Sequence, residues 1–147
     1  MWLALSLGLL VNTAAPADGA LEGPLGFPGC HLPSDLEVCA ESTDGALHCA
    51  FANEILSQTV DETPGFRLEV PAGRYRVYTR ARSDAPNFRA YFSRAVRCGL
   101  RESCRDHRPI VAEVRASETL SGISPADWSA PLHEVEQGPI AVRTRGI

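Results

Sequence analysis

The sequence predicts an all-β fold, a sandwich or a barrel built from short strands. Short apolar stretches alternate with turns rich in Gly, Pro and Asp along the 147 residues, which is the spacing typical of such folds. No stretch has the long apolar periodicity of an amphipathic helix. At this length the chain is expected to form one domain.

The composition is that of a globular protein. Hydrophobic residues make up 44% and charged residues 22% of the chain, which excludes wholesale disorder and a collagen-like or coiled-coil rod. A polytopic membrane protein is excluded because only one apolar run exists and it is short. All 14 basic residues are Arg, which we attribute to a coding bias rather than to function.

Eight segments are predicted to be strands. Apolar and polar residues alternate most clearly in 66–70 and 75–79, on either side of a Pro71-Ala72-Gly73 turn. Residues 52–64 form the least regular stretch, for which we expect a helical turn or a loop. The predicted strands are 20–25, 35–41, 46–51, 65–70, 74–82, 89–96, 110–116 and a short one near Ile123.

The amino-terminal residues predict a secretory signal peptide. The apolar run 2–11 is too short for a bilayer-spanning helix, which needs about 20 residues, but suits the core of a signal peptide. Ala15-Pro16-Ala17 supplies a cleavage motif, so we predict a signal peptide at 1–17, with cleavage after Ala20 as the alternative. A buried first strand is the competing interpretation. A periplasmic or secreted domain at 18–131 would follow, and then a tail or extra edge strand at 132–147.

Export decides how the five cysteines are interpreted, because cysteines pair in an oxidising compartment. If Thr43-Asp44-Gly45 is a three-residue hairpin loop with Gly45 in the left-handed conformation, Cys39 lies directly opposite Cys49. Facing residues of a non-hydrogen-bonded antiparallel pair are close enough to form a disulfide. The sequence therefore predicts a Cys39–Cys49 bond.

The remaining cysteines predict one local bond and one free thiol. Cys98 and Cys104 bracket a short segment that contains Gly99 and can close it as a loop. In the loop-entropy model each of the two bonds contributes about 2–3 kcal/mol. Cys30 is left over as a free thiol, with a bridge to a second molecule as the alternative.

Charge is distributed unevenly. Residues 18–65 carry nine acids and no Arg, whereas residues 66–108 carry eleven Arg and four acids. One interpretation is that acidic and basic strands neutralise each other across a sheet. The other is an arginine-rich face, including Arg80, Arg82 and Arg89, that binds an anionic partner. Predicted export, the net charge of −4 and the few aromatic residues argue against nucleic acid as that partner.

One hairpin resembles a known family. The run Phe66-Arg-Leu-Glu-Val-Pro-Ala-Gly-Arg-Tyr-Arg-Val-Tyr78 resembles the hairpin of carboxypeptidase regulatory-like domains, with an alternating strand, Pro-Ala-Gly and then Tyr-x-Val. The likeness extends to an exported bacterial branch of that family over about residues 20–131. It continues through Gly23, Pro28, Val38-Cys39-Ala40-Glu41, Ala90-Tyr91-Phe92, Cys98-Gly99-Leu100, Cys104-x-Asp106-His107 and Pro125-x-Asp127-Trp128.

The resemblance implies a transthyretin-like (prealbumin-like) β-sandwich of about seven strands with Greek-key-type connections. Such domains are usually accessory or interaction modules and are not expected to be catalytic. In this family the segment from Cys98 to His107 looks structural. The sequence departs from the pattern at Ser129, where an aromatic residue is expected.

Three patterns could carry chemistry, and none is convincing. His133 and Glu136 have the spacing of two zinc carboxypeptidase ligands, but a catalytic zinc needs a third and no His follows. Arg145-Gly146 matches part of the ending of transthyretin-like hydrolases, without its Tyr and Ser. Asp106 and His107 are neighbours that would point to opposite faces of a strand, so we expect Asp106 to cap a loop and His107 to hydrogen-bond backbone.

We therefore expect an exported, non-catalytic binding module for an envelope protein or glycan, without metal, cofactor, nucleic acid or stable membrane insertion, as a monomer or weak dimer. Trp128 or Tyr91 could serve a glycan, although we expect both to pack internally. One alternative is a small metal-dependent or transthyretin-like hydrolase; in a cytosolic protein Cys98, Cys104 and His107 could hold zinc. The other is a structural envelope protein stabilised by disulfides.

Overall fold

A computed structural model describes residues 17–29, 31–52, 64–83 and 88–129. Within these residues the chain is mostly β-sheet, with eight strands and the five-residue helix Arg94–Cys98, so the all-β prediction is confirmed. In the part of the chain that the structure describes, no helix is long and apolar enough to cross a membrane. The elements are β1 (Gly19–Pro24), β2 (Leu36–Ser42), β3 (Leu47–Phe51), β4 (Gly65–Val70), β5 (Gly73–Ala81), β6 (Ala90–Tyr91), α1 (Arg94–Cys98), β7 (Val111–Val114) and β8 (Thr119–Leu120).

The strands form two sheets. In the three-stranded sheet β1 lies in the middle, antiparallel to β4 and parallel to β8. The five-stranded sheet has the order β3-β2-β5, and both β6 and β7 pair with the remaining edge of β5. The arrangement is that of a β-sandwich, with strands of both sheets contributing to one apolar core.

The core follows from the alternation of side chains along the strands. In β2, Leu36, Val38 and Ala40 belong to the core together with Leu21 of β1 and Phe66 of β4. The intervening residues of β2 face the other side of the five-stranded sheet, which we call the outer face. The charged groups of the sheet discussed below lie there.

The hairpin between β2 and β3 has the predicted register. Cys39 pairs with Cys49, their Cα atoms are 4.2 Å apart and they form a disulfide. Gly45 adopts a φ of 99°, a conformation that glycine reaches without steric penalty. The prediction from the turn residues is therefore confirmed.

The predicted strand 89–96 is partly wrong. Pairing ends at Tyr91, and Arg94–Cys98 is helical. The reason is a capping residue: the Ser93 hydroxyl accepts a hydrogen bond from the backbone N–H of Val96, which satisfies a donor that the first turn leaves unpaired. The predicted strands at 110–116 and near Ile123 are also shorter or displaced, at Val111–Val114 and Thr119–Leu120.

Several predictions lie outside the described residues. These are the signal peptide up to residue 16, Cys30, nearly all of the irregular stretch 52–64, and the tail 132–147. The tail includes His133, Glu136 and Arg145-Gly146.

Candidate functional site

A buried polar cluster forms where the segment after β8 meets β6. Asp127 and Tyr91 form a bridge, in which the N–H of Asp127 donates to the carbonyl of Tyr91 at 3.3 Å. This pairing brings the carboxylate of Asp127 beside the residues that follow β6. The cluster consists of Asp127, Ser93, His107 and Ser129.

Asp127 is the centre of this cluster and is completely buried. Nδ1 of His107 lies 3.0 and 2.9 Å from its two carboxylate oxygens. The hydroxyl of Ser93 donates to one oxygen, and the hydroxyl of Ser129 donates to the other at 3.3 Å. A buried carboxylate needs this number of donors to offset the loss of water.

The order of the groups supports a structural role for the cluster. In a Ser-His-Asp triad the imidazole stands against the serine hydroxyl and removes its proton. Here the Ser93 hydroxyl donates to the carboxylate of Asp127 instead of to the imidazole. It also accepts a hydrogen bond from the N–H of Val96. Ser93 is itself completely buried. The cluster ties the start of α1 to the segments that carry His107 and Asp127.

Asp106 and His107 take different partners. Asp106 accepts hydrogen bonds from the backbone N–H of Arg108 at 3.2 Å and from two nitrogens of its guanidinium at 2.8 and 2.7 Å. These contacts lower the pKa of Asp106, chiefly through the guanidinium hydrogen bond. The predicted loop cap is confirmed for Asp106, whereas His107 contacts the side chain of Asp127 rather than backbone.

On the outer face, acidic residues of β2 neutralise arginines on and beside β5. Glu37 lies opposite Arg80 and accepts from its Nε at 2.7 Å, while Arg82 contacts the other oxygen at 2.8 Å. Glu41 pairs with Arg76 at 3.3 Å. The interpretation in which neighbouring strands neutralise each other is therefore confirmed for these residues. An anion-binding role for Arg80, Arg82 and Arg89 stays a prediction.

Arg89 is also engaged on this face. Its guanidinium carbon lies 4.8 Å from the centre of the Tyr78 ring, a cation–π distance. Its Nη1 lies 3.5 Å from the Tyr91 hydroxyl. The Tyr78 hydroxyl is buried without a hydrogen-bond partner, and this burial raises its pKa.

The four described cysteines do not offer a metal site in this state. Glu37, Cys39 and Cys49 place their ligand atoms within 4.8 Å of one another, but the two sulfurs are bonded to each other. Metals bind the thiolate, which a disulfide lacks. Cys98 and Cys104 form the second predicted disulfide, so the zinc set that would include them is ruled out for the same reason.

The two aromatic candidates for glycan binding pack internally, as expected. Tyr91 is 4% exposed. The Trp128 indole N–H donates to the carbonyl of Gly26 at 2.7 Å. Phe88 stacks on its ring and Phe27 meets the ring edge to face.

Exposed arginines without acidic partners occur on α1 and the loop behind it. Five described arginines are exposed and make no ion pair, and three of them, Arg97, Arg101 and Arg105, lie close together in sequence, whereas Arg74 and Arg115 lie apart. Residues 97–105, which we call the arginine loop, were missed because the sequence signal was spread over all of 66–108.

The arginine loop is held at both ends. The N–H groups of Gly99 and Leu100 donate to the carbonyls of Val96 and Ala95, both at 2.9 Å, which is the Schellman pattern that closes a helix. The Cys98–Cys104 disulfide, with Cα atoms 5.7 Å apart, closes the loop behind it.

No family model, curated protein or solved structure matches the chain. The likeness to carboxypeptidase regulatory-like domains therefore stays a prediction.

Proposed function

We propose that this protein is a periplasmic or secreted, non-catalytic binding module that recognises an anionic envelope protein or glycan through its arginine loop. The observation that carries the proposal is that Arg97, Arg101 and Arg105 are exposed and make no ion pair within a short loop whose one acid is Glu102. The transthyretin-like connection order implied by the family resemblance belongs to the same proposal.

Two features support export. The chain contains two disulfides, which persist in oxidising compartments and are rare in the cytosol. The predicted signal peptide provides the route. The ring of donors around Asp127 supports the non-catalytic part, because it uses both Ser93 and His107 in holding the fold together.

The chemistry of the loop favours anions. Guanidinium groups form planar, bidentate contacts with carboxylate, phosphate and sulfate. Because the loop is closed by a disulfide and by backbone hydrogen bonds, little of its backbone freedom remains to be lost on binding.

The test measures the binding of poly-L-glutamate, for acidic protein, and heparin, for acidic glycan, to the oxidised protein. Replacing Arg97, Arg101 and Arg105 together by Gln should weaken binding about tenfold, as three exposed ion pairs of about 0.5 kcal/mol would. Binding of the unmodified protein should also fall steeply as salt increases from about 0.05 to 0.5 M.

The matched control replaces Arg76, Arg80 and Arg82 by Gln, which removes the same charge from the outer face. This variant should lose stability but keep its affinity. Equal losses of affinity in both variants, or binding that ignores salt, would contradict the proposal. Loss in the outer-face variant alone would move the site to that face.

A further inference from the structure

The arginine loop carries an apolar residue that folding does not explain. Leu100 is 45% exposed and has a φ of 52°. The left-handed conformation is unfavourable for a residue with a Cβ, and Gly or Asn would adopt it at lower free energy. A leucine is therefore unfavourable at this position both for its left-handed backbone conformation and for the apolar surface that it exposes to water.

The Schellman motif does not explain why residue 100 is a leucine. The residue that follows the glycine in this motif commonly packs against the helix, yet Leu100 leaves nearly half of its surface in water. It is not among the residues that belong to the core or pack against it within the described ranges. A strained residue held in place by its surroundings is an indication of function.

We propose that Leu100 is the apolar anchor of the arginine loop, and that the partner is an acidic protein segment presenting an apolar side chain or pocket between its carboxylates. This inference rests on the proposed function and narrows it to a protein partner. An apolar centre surrounded by polar or charged contacts is the usual anatomy of a protein interface. A sulfated or carboxylated glycan would use the arginines and gain little from the leucine.

A membrane surface is a less suitable partner for the arginine loop than an acidic protein segment. A single half-exposed leucine supplies little apolar area, and stable membrane attachment needs larger apolar surfaces or two combined signals. The disulfide and the backbone hydrogen bonds also restrain the backbone that carries Leu100, Arg97 and Arg101. A restrained backbone suits a shaped partner better than a fluid surface.

The test compares two synthetic peptides of equal length with equal numbers of glutamates. The other positions are glycine in one peptide and leucine in the other. The unmodified protein should bind the leucine peptide about fivefold more tightly, as burial of part of one leucine predicts. Leu100→Asn should bind both peptides equally, without a lower melting temperature, because Asn tolerates the left-handed conformation. Leu100→Gly provides a second variant if the first folds poorly.

Leu47 supplies the matched control. It is the other large exposed hydrophobic residue among those described, at 50%, but it lies on β3. Leu47→Thr should keep the preference for the leucine peptide.

The possible failures can be distinguished. Equal binding of both peptides to the unmodified protein, or a preference that survives in Leu100→Asn, would overturn this inference and leave the proposed function intact. Absence of binding to either peptide would overturn this inference, and absence of binding to heparin as well would overturn the proposed function. Binding to phosphatidylglycerol vesicles that depends on Leu100 would replace the protein partner with a membrane.

Discussion

The outer face of the five-stranded sheet and the arginine loop are both rich in arginine, but they differ in what surrounds the charge. On the outer face, Glu37 and Glu41 accept the guanidinium groups of three arginines. In the loop, Arg97, Arg101 and Arg105 have no such partner among the described residues. On the outer face the register places Glu37 opposite Arg80 and Glu41 opposite Arg76, so that the partners lie side by side on neighbouring strands.

The comparison shows that a local excess of arginine does not locate a binding surface. In the sheet the arginines contribute to the packing of the fold, and in the loop they are available to a partner. The two disulfides follow the same division, since one pins β2 to β3 and the other closes the loop.

The largest expected effect concerns the buried Asp127 cluster. Asp127→Asn should lower the free energy of unfolding by about 3 kcal/mol, because it breaks a buried, charge-assisted cluster. Chemical denaturation followed by fluorescence measures the change. Asp106→Asn is the control, since its partially exposed pair with Arg108 should contribute no more than about 1 kcal/mol. Equal losses would contradict a structural role for the Asp127 cluster.

Removing the disulfides one at a time separates the two regions. Replacing either pair of cysteines by Ala should destabilise the protein by about 2.5 kcal/mol in the loop-entropy model. Only removal of the Cys98–Cys104 bond should also weaken the binding of poly-L-glutamate. The comparison fails if loss of Cys39–Cys49 weakens binding to the same extent.

Glu37→Gln should leave arginines of the outer face without an acidic partner, as in the arginine loop. The change should cost about 2 kcal/mol of stability, because it weakens charge-assisted hydrogen bonds to Arg80 and Arg82. It should also raise the affinity for poly-L-glutamate by freeing both guanidinium groups. An affinity that stays the same would mean that this face is inaccessible to the probe.

The Tyr78 hydroxyl provides a smaller test of the outer face. Tyr78→Phe should stabilise the fold by about 1 kcal/mol, since the hydroxyl is buried without a partner and its desolvation is not compensated. Tyr75→Phe should act in the opposite direction, because the Tyr75 hydroxyl donates to the carbonyl of Pro71 at 2.6 Å. Thermal denaturation of the two variants measures the contrast.

The smallest expected effect is the pH dependence of the Asp106 contribution. Its pKa is lowered in the folded state, so its stabilisation is fully present above the unfolded-state pKa of about 4 and is lost as the pH falls further. Asp106→Asn should therefore be less stable than the unmodified protein at pH 7, and the difference should shrink toward pH 2. A difference that grows in acid would contradict the assignment.

Much of the fold could be predicted from local signals. The Pro71-Ala72-Gly73 turn and the flanking alternation gave β4 within its observed bounds, and the position of Gly45 gave the register that pairs Cys39 with Cys49. These features depend on residues close in sequence, where turn chemistry and side-chain period act directly.

The candidate site could be predicted only in part. Asp106 was identified as a cap because its partner lies two residues away, whereas the carboxylate bound to His107 belongs to Asp127, twenty residues further on. The first three residues of α1 were predicted as strand because a five-residue helix is too short to show a helical period, and only the cap at Ser93 marks its start. The exposure of Leu100 depends on how the chain packs around it, which no local pattern reveals.

The position of β1 also determines when the fold can be completed during synthesis. This first strand lies between β4 and β8, and its parallel partner at Thr119 follows about 100 residues later, a long-range contact of the kind that slows folding. The residues up to Leu120 must therefore have left the ribosome before the three-stranded sheet can close. Until then β1 leaves one hydrogen-bonding edge unpaired, and an unpaired edge is a template on which another chain can pair.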